Sequence, residues 1–210
     1  MNAEMHIKSV RRKAVWGTRV RTSLVLGILL MTSCSKAIRT GQSPAYLILT
    51  RLTGTAGGGA LAGEASSNLS SDVITRVPAL TGPATIFADT GQATLSLQMR
   101  DILTSPSPVN AITLTQYHVK FIRSDGRNVQ GVDIPYEFDG GLGITVSGTA
   151  TVGFVLVRNQ AKMEAPLSAL VNNSQVISTI AEVTFYGHDQ NGRAVSVSGR
   201  LDVAFANFGD

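Results

Sequence analysis

After Ala45, hydrophobic and polar positions alternate with a period of two through most of the chain. In residues 94–100, Leu95, Leu97 and Met99 share one face while Ser96 and Gln98 share the other. That is the pattern of a strand buried on one side. Residues 46–49 and 83–88 read as earlier strands. Between 111 and 123 the inward set starts with Ile112 and Leu114, then resumes out of phase with Tyr117, Val119 and Phe121. One extra residue near Thr115 and Gln116 restores the register, so a β-bulge is predicted there. Two separate strands, or an edge that changes sheets, would produce the same switch.

Turn signals divide the remaining strands. Asp125-Gly126 predicts a tight hairpin turn. Asp139-Gly140-Gly141 is read as a break between strands at 134–138 and 144–146. Residues 149–157, rich in Val and Phe, form the next strand. Pro166 followed by Leu-Ser-Ala-Leu-Val predicts one short helix within 164–171, ending at Asn172-Asn173; no other segment after residue 34 has a helical period. The last forty residues are the most regular. Ala181, Val183 and Phe185 share one face, and Val195, Val197, Leu201, Val203 and Phe205 share another. Asn191-Gly192 lies between them and supplies the positive φ that a turn needs. Pairing the two inward faces places Glu182 opposite Ser198 or Arg200, the latter as an exposed ion pair. Residues 54–68 are too glycine-rich for a strand and read as a mobile loop. Eight or nine short strands with one small helix predict an all-β, Greek-key, immunoglobulin-like β-sandwich over 45–210. It lacks the disulfide and the core tryptophan of antibody domains, because the single cysteine has no partner and Trp16 lies before residue 34.

The start of the chain has a different order. Basic residues from Lys8 to Arg21 precede an apolar run, 23–31, and then the small residues Thr32 and Ser33. Basic, apolar and small segments in that order are those of a secretory signal peptide. The run is about half the ~20 residues a membrane-spanning helix needs. Met31-Thr32-Ser33-Cys34 resembles the lipobox of bacterial lipoproteins, although Met31 stands where Leu is usual. The resemblance implies cleavage before Cys34, acylation of its thiol and of the new amine, and residence in the cell envelope. Ser35 lacks an Asp retention signal, which favours the outer membrane in a two-membrane cell. Cys34 is therefore the expected lipid-attachment residue, residues 1–33 the leader and 34–44 a short tether. The membrane is the expected partner through that lipid, because several acyl chains hold a protein stably where one does not. The closing stretch, from Thr179 through His188-Asp189 to Asp210, resembles the C-terminal hairpin of uncharacterised secreted bacterial lipoproteins and implies no activity.

Charge changes the picture once it is placed. The chain of 210 residues carries a net charge of +4. The leader holds six of the bases and one acid, so the remainder is close to neutral. Nucleic acid is not an expected partner, since phosphate backbones are bound by clustered positive charge. A protein partner in the envelope is.

No catalytic, cofactor-binding or metal-ligating residue is predicted. His118 lies between the inward Tyr117 and Val119 and should face outward; His188 opens a turn; no Gly-x-Ser-x-Gly is present. Asp133, Glu137 and Asp139 could run glycoside chemistry or bind sugar, but Asp133 and Glu137 would lie ~13 Å apart along an extended segment. Asp125, Asp139 and Asp189 occupy turns and could converge on calcium, though each is also an ordinary turn residue. Tyr186 is the one tyrosine placed on a polar face. A non-enzymatic, lipid-anchored binding, adhesion or assembly module is the expected function. The alternative is a carbohydrate-binding or glycoside-hydrolysing sandwich using the acids from Asp133 to Asp139.

Overall fold

A computed structural model describes residues 42–58, 65–77 and 81–209. The expected leader and Cys34 lie outside the described residues. Among those described, the strands are β1 (Ala45–Thr55), β2 (Asn68–Asp72), β3 (Thr75–Arg76), β4 (Ala84–Thr85), β5 (Asp89–Met99), β6 (Ile112–Ile122), β7 (Phe138–Val146), β8 (Thr149–Val157), β9 (Ile177–Asp189) and β10 (Ala194–Ala206). Eight of them form two sheets, ordered β1-β5-β8 and β2-β10-β9-β6-β7, while β3 and β4 make a separate two-residue ladder. The two sheets make an all-β sandwich in which β2 is added in parallel beside β10 and the other strand pairings are antiparallel.

The two inner faces meet as the alternation predicts. Leu95 and Leu97 of β5 are buried against Ile112, Leu114, Val119 and Phe121 of β6 and Val183 and Phe185 of β9. Aromatic side chains fasten the sheets together. Phe154 of β8 lies 5.3 Å from the Tyr117 ring and 5.4 Å, edge to face, from Phe185. The Tyr117 hydroxyl accepts the Val155 N–H at 3.2 Å.

The register of β6 shifts between Leu114 and Gln116 against both β7 and β9. Thr115 is the extra residue, and it returns Tyr117 to the core. In the β9–β10 hairpin Arg200 pairs with Glu182, with the guanidinium Nε donating to the Glu182 carboxylate at 2.7 Å. Gly192 supplies the positive φ of the turn, at 77°.

Several expectations are corrected. β1 runs on to Thr55, because a bulge between Leu49 and Arg51 changes its phase and brings Leu52 inward. Gly54 and Thr55 are thus strand residues, Gly54 bridges Ser66, and Asn68 begins β2. Only Ala84 and Thr85 of residues 83–88 are strand. Asp139-Gly140-Gly141 does not interrupt the chain; β7 passes through it. Gly140 is required there by packing, since a Cβ would lie 2.1 Å from Tyr117 Cζ. Asp125-Gly126 makes a turn, with Gly126 at φ 82°, but residues 123–137 form a long connection and only Phe138 of 134–138 is strand. The helical segment is split into a one-turn helix α1 (Asn159–Met163) and a 3-10 helix (Leu167–Asn172), and a further 3-10 turn spans Pro108–Asn110.

Candidate functional site

The strand topology separates the connections into two ends. One end carries the start of β1, the β5–β6 connection, the two-residue β7–β8 turn and the β9–β10 turn. The other carries the β6–β7 connection and the helical segment between β8 and β9. Candidate chemistry falls into three places.

The first is interior. Asp89 and Lys162 are buried to about 1% side-chain exposure, with Nζ 2.8 Å from Oδ1. Lys162 also donates to the Asp72 carbonyl at 2.7 Å. Asp89 accepts the Gly57 N–H at 2.9 Å and the Ser71 hydroxyl at 2.5 Å. Each charge thus has a partner and further hydrogen bonds, the condition under which an ion pair is tolerated away from water. The cluster ties α1 and the chain after β1 to β2 and β5. It is closed to a substrate. The sequence reading missed it, although the signal is present: Asp89 is in phase with Gly91, Ala93, Leu95 and Leu97, so the same alternation points it inward.

The second lies on the outer face of the larger sheet. His118 of β6 faces outward as expected and pairs across to Asp139 of β7, with Nδ1 2.9 Å from Oδ1; Glu137 lies 3.7 Å from Nε2. Asp133 takes no part. Its carboxylate accepts the Val129 N–H at 3.1 Å within the β6–β7 connection. The three acids of the glycoside reading are therefore split between a sheet face and a loop.

The third is the distal end. Asp125 sits between Arg123 and Arg127, accepting from both guanidinium groups at 2.7 and 2.9 Å. The side chain of Arg123, then the Arg127 amide, holds its carboxyl well below the usual carboxylate range. Beside this clamp is an open groove of about 520 Å3. Arg123, Arg127, Val132 and Asp133 line one side; Pro166, Leu170 and Val176 line the other. Val132 and Val176 are 68% and 53% exposed. Its lining mixes the two arginines, both held by Asp125, with Asp133, Asn173, Gln175 and the exposed apolar side chains.

Asp189, the remaining turn acid, is buried at the opposite end. Burial opposes its charge, but the amides of Arg193 and Asn191, the Ser43 hydroxyl and the Arg193 charge outweigh burial and lower its pKa. Asp125, Asp139 and Asp189 thus hold separate local partners, and among the described residues no His, Cys, Asp and Glu side chains gather into a cluster suited to a metal ion. Tyr186 is exposed, as its polar face predicts. Tyr46 and Tyr136 are also exposed, and Arg100 stacks over the Tyr46 ring at 5.5 Å. No family model matches the sequence, and no curated protein matches it.

Proposed function

We propose that this chain is a lipid-anchored protein of the bacterial envelope whose sandwich works as a non-enzymatic binding module. The anchor is the lipid on Cys34, supported by the leader and the lipobox-like Met31-Thr32-Ser33-Cys34. The binding surface is the distal groove. The observation that carries this half is the contrast between that groove, where the exposed Val132 and Val176 stand near Arg123 and Arg127, and the dispersal of Asp133 from Glu137 and Asp139. A protein segment with apolar and acidic side chains fits it.

Intact-mass measurement on membrane-extracted protein tests the anchor. Wild type should carry the acyl adduct with Cys34 at its start, and Cys34→Ser should be released from the membrane. A mature start elsewhere would remove the anchor. A photo-crosslinking residue in place of Val132 should capture one defined envelope protein in intact cells, whereas the same residue in place of Ser198 should not; equal capture at both positions removes the groove. A second reading, sugar binding or glycoside hydrolysis, rests on the convergence of Glu137 and Asp139 on His118. It requires that Asp139→Asn abolish a glycan interaction that wild type displays.

A further inference from the structure

The β5–β6 connection, at the end where the chain enters the sandwich, displays the most exposed large apolar side chains among the described residues. Ile102 is 93% exposed, Leu103 89% and Val109 79%. The display is built. Asp101 accepts the Leu103 N–H at 2.9 Å through its carboxylate, and its carbonyl accepts the Thr104 N–H at 3.1 Å and the Thr104 hydroxyl at 2.8 Å. Ile102 and Leu103 therefore occupy the two central positions of a turn, where Gly, Pro, Asn, Asp and Ser are the residues of choice. Local hydrogen bonding holds two large hydrocarbon side chains out in solvent, where they gain nothing in the folded domain alone.

The connection is also tied to the chain entry. Arg100 donates its backbone N–H to the Pro44 carbonyl at 2.9 Å and its Nε to the Ser43 carbonyl at 2.9 Å. Gln190, in the β9–β10 turn, donates to the Ala111 carbonyl at 3.1 Å and holds the far side of the connection. The apolar tip thus has a fixed place beside Ser43.

We infer that Ile102 and Leu103 form a second membrane contact, inserted into the lipid interface beside the anchored N-terminus. This inference rests on the reading of Cys34 as the lipidated residue. Reach supplies the argument. From Cys34 to Ser43 the chain spans at most ~32 Å fully extended, whereas β5, with 11 residues, is itself ~35 Å long. A tether about as long as the sandwich keeps the entry end within its reach of the lipid and, on average, nearer to it than the distal groove. Apolar side chains at the headgroup boundary gain burial without needing to span it. The connection carries one base, Arg100, and one acid, Asp101, so apolar contact rather than attraction to anionic lipid drives the insertion.

A single-thiol reporter tests this on the full, lipidated protein. With Cys34 acylated, Ser105→Cys adds the one free thiol, and Ser124→Cys does the same at the distal end. Each is labelled with an environment-sensitive dye and reconstituted into phosphatidylethanolamine–phosphatidylglycerol vesicles containing spin-labelled lipid. The dye at 105 should shift to shorter wavelength and be quenched, while the dye at 124 should remain water-like. Adding Ile102→Asp and Leu103→Asp should abolish the quenching at 105 with the acyl mass on Cys34 intact. Equal behaviour at 105 and 124, or quenching that survives the two acidic substitutions, overturns the proposal. A protein without the acyl mass that takes up two dyes instead overturns the anchor itself, so the two failures are separable.

Discussion

Lys162 Nζ lies 2.8 Å from Asp89 Oδ1 in the interior, and the two residues come from segments far apart in the chain. Removing either partner leaves the other charge buried without compensation, at a cost of about 3–5 kcal/mol. Asp89→Ala or Lys162→Ala should lower the urea midpoint accordingly. The double substitution Asp89→Leu with Lys162→Met should lose much less, because no bare charge remains. Equal losses for single and double variants would contradict this account.

The Glu182–Arg200 pair should behave in the opposite way. Arg200 is 66% exposed, so water and salt screen it. A double-mutant cycle through Glu182→Ala and Arg200→Ala should give a coupling of about 0.2–1 kcal/mol, shrinking with added salt.

Gly140→Ala should destabilise the domain by about 1–3 kcal/mol. The added methyl displaces the Tyr117 ring, which in turn contacts Phe154 and holds the Val155 amide. Gly141→Ala, one residue on, meets open space and should be close to neutral. Chemical denaturation of the two variants side by side measures the difference.

Acid should weaken the fold through Asp189. Its folded pKa is lowered, so it contributes stability that is fully present above the unfolded value of about 3.9. That contribution is lost as pH falls through the folded value. Asp125 has the same sign. Unfolding midpoints measured from pH 6 downward should fall below about pH 4, and Asp189→Asn should flatten that limb while lowering stability at neutral pH.

Alternation carried most of the architecture because one buried face per strand writes itself into every second residue. It located the Thr115 bulge, since Leu114 and Tyr117 can both be inward only with an extra residue between them. It narrowed the partner of Glu182 to Ser198 or Arg200 for the same reason, and the hairpin takes Arg200. It failed where a side chain's partner lies far away in sequence. Gly140 looks like a chain break until the Tyr117 ring is placed above it. The alternation points Asp89 inward, but nothing in it names Lys162, from a helix one turn long, as the partner that makes a buried acid tolerable. The distal groove is assembled from two connections with no shared pattern. The apolar tip at Ile102 and Leu103 gave no period at all, being a turn rather than an element.

The parallel pairing of β2 with β10 bears on biogenesis. An early strand of the larger sheet waits for the last one, Asp202 opposite Asn68 and Ala206 opposite Asp72. A polypeptide leaving the cytosol N-terminus first cannot complete that sheet until its final strand has crossed. If residues 1–33 act as the export leader proposed above, the precursor would stay short of its native state until its C-terminus has been delivered.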